Sequence, residues 1–416
     1  MIERSLFLEL RSHLSKKEIS FIVGPRQAGK TTLMLFLKDY LEKKGEKTLF
    51  LNLDIEVDRE YFSSQERLIK KIELELGKKR GFVFIDEIQR KQDAGLFLKG
   101  IYDMGLPYKF IVSGSGSVEL KEKIHESLMG RKRIFELSTL SFEEFVDFKT
   151  QYKYKNRLLE FFAVEKDKTE LLLEEYLNFG GYPRPVLEEE LDEKQKLMSE
   201  IYQSYIERDI FYLLRINKTD AFTNLLKLIS AQAGNIVHFS ELSSTLGISV
   251  KTVKDYLWYM EKTFVIQRIN PYFKNIRKEI TKSPVYYFYD LGLRNFAIGE
   301  FGRLKDVGFV FQNFIYNLLK EKLRSSSAKI YFWRTKDKAE VDFVVDLGRE
   351  VVPIEVKYKK MKFPELTRSL KSFIEKYTPQ KAVVVNLSLD TKINLKGAQI
   401  HIIPFYRLFQ LLLNKL

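Results

Sequence analysis

The chain has no cysteine and only four histidines in 416 residues. The first absence excludes disulfides, cysteine-ligated zinc and thiol nucleophiles, and the second leaves little room for a histidine metal cluster. Nowhere does the sequence approach the roughly 18 uninterrupted apolar residues of a membrane span. The start MIERSLFLELRSH also lacks the apolar core and small-residue cleavage site of a signal peptide, so a soluble, cytoplasmic protein is expected. Negative charge is in short supply: 70 Lys and Arg face 56 Asp and Glu, a net charge of +14 that attracts polyanions. Charged residues make up 30% of the chain and thermolabile ones are few, which hints at a thermophilic source. The length points to two to four domains.

What is present begins with Ile19 to Thr32, ISFIVGPRQAGKTT, followed by the amphipathic stretch LMLFLKDYLEK. A short apolar run, a glycine-bounded loop and a helix make a phosphate-binding site, so ATP or GTP is the first ligand to expect. Glycines let consecutive backbone N–H groups turn inward around phosphate oxygens, and the helix points its positive end at them. Gly24, Pro25, Arg26, Gln27, Ala28, Gly29, Lys30, Thr31 and Thr32 are therefore the nucleotide-binding residues. Lys30 would reach the outer phosphates and Thr31 would ligate Mg²⁺.

Gly81 to Arg90, GFVFIDEIQR, reads as a buried parallel strand ending in an acidic pair. Asp86 would hold the Mg²⁺ water shell and Glu87 would orient and deprotonate an attacking water, which favours hydrolysis over mere binding. A further strand, Lys109 to Val112, ends in Ser113-Gly-Ser-Gly-Ser117, where a polar residue senses the γ-phosphate in additional-strand P-loop ATPases. Ser113 is the candidate. Arg131, within Gly130-Arg131-Lys132-Arg133, could reach a phosphate as sensor or finger. Ser141-Phe-Glu-Glu144 forms a capping box that starts a helix.

Polar, lysine-rich sequence begins near Thr150, and helical periodicity broken by the turn Gly180-Gly181-Tyr182-Pro183 continues to about Arg215. From Thr219 the order is apolar helix, glycine turn at Gly247, Ser249 cap and a longer helix from Val250, with VIQRINPYF after it. That is the order of a helix-turn-helix with a wing. Lys251, Thr252, Lys254 and Tyr256 are expected on its exposed side, facing phosphates or base edges. In the last segment, two strands facing each other would bring Asp342 and Glu355 close enough to share a divalent ion, with Lys357 beside them. This Glu-x-Lys sits inside an apolar strand, where a bare ion pair is costly unless paired or metal-bound.

These ordered blocks, GPRQAGKTT, FVFIDEIQ, SGSGS, GRKRIFELSTLSFEEF, GGYP, YIERDI at Tyr205 to Ile210, LGISVKTVKDYLWYMEKTFVIQRINPY, KSPVYYFYDLGLRN and WRTKDKAEVDF to PIEVK, span nearly the whole chain. They resemble archaeal and bacterial AAA-superfamily P-loop ATPases whose C-terminal half is a domain of unknown function. The resemblance implies an α/β fold in four parts: an AAA-type ATPase domain over 1–150, a helical connector over 151–215, a winged helix-turn-helix over 216–275 and a restriction-endonuclease-like domain over 276–416. It implies ATP and Mg²⁺ as cofactors and a role with DNA; a homo-oligomer or a protein partner is the other association to consider. One departure stands out. Nuclease folds of this kind often carry another acidic residue on the first helix, and that place here is Gln312. Losing a carboxylate weakens a metal site, so cleavage by Asp342, Glu355 and Lys357 is the weaker expectation, and an ATP-dependent switch acting on a protein partner, with the C-terminal part as scaffold, is the alternative.

Overall fold

The computed structural model describes residues 2–115, 127–206, 219–273, 275, 279, 282–324, 326–408 and 410. The last two residues of the Ser113–Ser117 turn and the last four of the Tyr205–Ile210 block lie outside the described residues. The chain forms two compact units. One comprises 1–140, 182–219 and 258–265, the other 141–181, 220–257 and 266–416.

The first unit is built on a parallel sheet of β1 (Ile19–Gly24), β2 (Thr48–Asn52), β3 (Gly81–Asp86), β4 (Tyr108–Ser115) and β5 (Lys132–Glu136), in the order β2-β3-β4-β1-β5. Every residue of β1 and β3 is buried, as expected of strands covered on both faces. β4 lies between them, so one strand separates the loop-bearing strand from the acidic one. Leu33, Leu37 and Leu41 recur every fourth residue along the Lys30–Glu42 helix and pack with Met34 on Ile22, Phe82, Phe84 and Ile111 of the sheet. Leu6 and Leu10 of the Leu6–Ser12 helix complete that core.

In the second unit the capping box at Ser141 is formed. The Ser141 hydroxyl accepts from the Glu144 N–H, and the Glu144 carboxylate accepts from the Ser141 N–H. Helices Thr219–Ala231, Phe239–Leu246 and Val250–Lys262 follow one another, the last running on into the first unit from Trp258, and the last two are joined through Gly247 in the left-handed region at φ +62°, where a side chain is disfavoured. β6 (Ile266–Ile269) and β7 (Val285–Phe288) then pair antiparallel, and Ile236 bridges to Val285. Lys251 and Lys254 are exposed as expected, whereas Tyr256 is not. It is buried against the Phe222 ring, because an aromatic at that helical position is needed for the core.

The second sheet contains β8 (Lys329–Arg334), β9 (Glu340–Asp346), β10 (Val351–Val356), β11 (Lys381–Asn386), β12 (Thr391–Leu395) and β13 (Ala398–Pro404), ordered β12-β13-β11-β10-β9-β8. β8, β9 and β10 form an antiparallel meander, and β11 runs parallel to β10 after the Arg368–Tyr377 helix. Leu370, Phe373 and Ile374 of that helix cover Trp333, Val341, Val344 and Val384.

Two of the sequence blocks meet in this unit. The Asp290 carboxylate accepts from the Gly181 N–H at 2.8 Å and the Leu293 N–H at 2.9 Å, and the Asn295 amide donates to the carbonyls of Leu177 and Asn178. A Cβ on Gly292 would lie 2.1 Å from the Phe179 carbonyl oxygen, so only glycine permits this approach.

Candidate nucleotide site

The apolar run of β1 ends at Gly24, and the chain must turn there under the neighbouring strand's extension. A Cβ at Gly24 would sit 2.0 Å from the Leu137 carbonyl oxygen. The loop closes at Gly29, in the left-handed region at φ +93°, which starts the helix at Lys30. Arg4 ties the loop down from outside, donating to the Ala28 carbonyl at 2.8 Å and to the Ser138 carbonyl at 2.7 Å.

Lys30 is buried and donates to the carbonyls of Gly24 at 3.0 Å and Pro25 at 2.8 Å. Its ammonium therefore lies across the mouth of the loop. Thr31 donates its hydroxyl to Asp86 Oδ2 at 2.7 Å, joining the start of the helix to the end of β3. Ser113 donates to the other oxygen, Oδ1, so the Asp86 carboxylate is held between two hydroxyls. The Glu87 N–H is directed to Asp86 Oδ1 at 3.1 Å and to Ser113 Oγ at 3.3 Å. Glu87 itself stands in the left-handed region at φ 55°, ψ 43°, an uncommon conformation for a non-glycine residue. Burial raises its carboxyl above the usual range, with the nearby Lys30 ammonium acting against that rise.

Arg26 to Leu33, Asp54 and Glu87 line a cavity of about 510 Å³. Ile2, Phe36, Leu140, Pro183 and Leu187 add apolar lining, and Arg4 and Arg184 add positive charge. Polar groups for a phosphate chain together with apolar surface for a flat ring system are what a nucleotide requires. Arg4 and Arg184 were not read from the sequence. Arg184 donates to Gln27 Oε1 at 3.2 Å and to Glu200 at 2.8 Å, and its only sequence signal is its place directly after the Gly180–Pro183 turn.

Of two further expected participants, one stands beside Asp86 and the other away from the loop. Ser113 is fully buried behind Asp86 and does not line the cavity among the described residues. Arg131 precedes β5, beside the start of β1 and so at the end of the strands away from the loop, and donates to Asp103 at 2.7 Å.

In the second unit, β9 and β10 bring Asp342, Glu355 and Lys357 together. Asp342 Oδ1 accepts from the Gln312 amide and Oδ2 from the Val356 N–H, both at 2.7 Å. Glu355 accepts from Thr367 at 2.8 Å and pairs with Lys357 at 3.0 Å. Asp342 and Glu355 thus stand as a pair of carboxylates held by these donors, and no cluster of three or more His, Cys, Asp or Glu that could hold a metal occurs among the described residues. Burial pushes the Asp342 carboxyl up to about 7.

Residues 16–146 match a family model described as an AAA domain, 170–303 one described as a domain of unknown function (DUF8612), and 307–408 a domain of unknown function (DUF4143). Residues 16–146 thus make an AAA-type P-loop ATPase domain, followed at 307–408 by a domain of unknown function. It is 26% identical over 375 residues to an uncharacterized protein of Mycobacterium tuberculosis, covering 89% of this chain and 76% of that one. It is 25% identical over 414 residues to an uncharacterized protein of Methanocaldococcus jannaschii, covering 96% and 90%. Among solved structures it is similar to the Aeropyrum pernix Orc1 protein in complex with DNA, at 11% identity, 71% and 92% coverage and a TM-score of 0.30. AMPPCP-bound DnaA from Aquifex aeolicus is a similar structure at 14% identity, 62% and 86% coverage and a TM-score of 0.25.

Proposed function

We propose that the protein hydrolyses ATP with Mg²⁺ at the Lys30, Thr31, Asp86 and Glu87 site and couples that turnover to DNA binding through the segment from Thr219 to Phe288. The observation that carries the hydrolytic part is the direct bond from Thr31 to Asp86 beside Glu87. A hydroxyl and a carboxylate at hydrogen-bond distance are the two groups that would hold Mg²⁺ with its water shell, and the ion would supply charge neutralisation on the phosphate oxygens. Lys30 would exchange the loop carbonyls for phosphate oxygens, and Glu87 would orient and deprotonate the attacking water.

The DNA part is supported by the order helix, single bridge, helix, helix and two-stranded hairpin, which is that of a winged helix, and by exposed Lys251 and Lys254 on its third helix. Phosphodiester cleavage is not part of the proposal, since Gln312 stands where sites of this kind often carry a further carboxylate and its amide bonds to Asp342. That arrangement favours a second reading, in which the C-terminal sheet is a scaffold and ATP turnover regulates docking of a protein partner. Steady-state ATPase assays with and without duplex and single-stranded DNA separate the two. Stimulation by DNA, lost together with basal turnover in Lys30→Ala, is the expected result, with basal turnover falling by at least about 100-fold. An unchanged rate at saturating DNA would leave only the second reading.

A further inference from the structure

We propose that Gln89 is a positioning residue for ATP hydrolysis, acting through Glu87. The inference rests on the reading of Glu87 as the base. The left-handed backbone at Glu87 turns its side chain toward the cavity that Lys30 and Thr31 also line. A conformation of that kind persists only where the surroundings hold it. Here the turn Ile88–Arg90 follows at once: Ile88 is fully buried and anchors it, and Arg90 bonds to Asp54 at 2.7 Å. Between these two anchors the Gln89 side chain folds back, and its amide donates to Glu87 Oε2.

Gln89 does not line the cavity among the described residues, whereas Glu87 does. It therefore acts on the carboxylate and not on the nucleotide. One carboxylate oxygen is held by the amide, and Oε1 remains the acceptor for a proton from water. The bond fixes rotation of a two-oxygen group about its last torsion, which is broad when unrestrained. General-base catalysis depends on that orientation, because a proton is transferred only within hydrogen-bond reach. Neither the acidic pair nor the apolar strand before it requires glutamine two residues on; the geometry supplies the reason.

The test uses the full chain and separates orientation from binding. Gln89→Met keeps the shape without a donor, and Gln89→Glu replaces the donor with an acceptor. Each should lower kcat about tenfold, with KM for ATP and Kd for AMPPCP held within about twofold. Gln89→His retains an N–H at similar reach and should keep kcat within about threefold of the wild type. In a Glu87→Gln background, Gln89→Met should add no further loss, because the two residues act as one unit. Wild-type kcat in Gln89→Met, a loss that multiplies with Glu87→Gln, or a change confined to KM would each overturn the proposal. Undiminished turnover in Glu87→Gln alone would instead overturn the reading of Glu87 as base, and the role of Gln89 with it.

Discussion

Two aspartates keep different company. Asp86 accepts at Oδ2 from the Thr31 hydroxyl, which rotates away at little cost and can leave that oxygen to a hydrated cation, and at Oδ1 from Ser113 and the Glu87 N–H. Asp342 accepts from a side-chain amide and a backbone N–H, and the backbone donor cannot turn aside without disturbing β10. The second carboxyl also carries a burial cost that depends on pH. Its pKa in the fold, raised to about 7, exceeds the unfolded value near 4, so the folded state holds the proton more tightly. The stability this contributes is fully present below about pH 4 and is lost as pH rises through about 7. Thermal unfolding of wild type and Asp342→Asn from pH 4 to 8 should show the wild type losing melting temperature relative to the variant as pH rises. A constant difference would mean that Asp342 is already ionised in the fold. The resemblance pointed to Gln312 at a place where such folds often carry a carboxylate. It could not disclose that the amide turns onto Asp342, because that contact joins residues thirty positions apart on a helix and a strand.

Among the elements, the strand, loop and helix from Ile19 to Glu42 were legible because glycine spacing, an apolar run and an amphipathic helix each have local causes. The role of Gly24 was not fully legible. Its requirement comes from the Leu137 carbonyl more than a hundred residues away. Gly24→Ala should destabilise the first unit by more than about 2 kcal/mol, or displace the loop and abolish ATP binding, as read by thermal unfolding with and without nucleotide. The helix-turn-helix spacing was legible through Gly247 and Ser249, yet Tyr256 was assigned to the wrong face. Helical periodicity locates a face only to within a residue or so, and Phe222, from another helix, decides which side is inside. Arg4 and Arg184 escaped because single arginines carry no spacing signal, and only the fold brings them to one cavity.

For the whole molecule, the excess of 14 positive charges bears on association more than on folding. If Lys251 and Lys254 meet DNA phosphates, binding should weaken steeply with salt. The double substitution Lys251→Ala with Lys254→Ala should lower the slope of log K against log salt by about 2. Fluorescence anisotropy with labelled duplex across a salt series gives the slope. An unchanged slope in the variant would remove this helix from the interface.

The division of the chain into interleaved stretches has a consequence for anyone who dissects it. The polypeptide passes from one unit to the other after Leu140, Gly181, Thr219, Leu257 and Val265. A single cut at any of these places leaves at least one unit without part of its own chain. Expression of an isolated ATPase fragment ending near residue 140 would omit Pro183, Arg184 and Leu187 from the nucleotide cavity. Insertions that lengthen one crossing alone would also leave the other crossings at their native length. Truncation or permutation at the boundaries of the family matches therefore separates stretches that pack together within one unit.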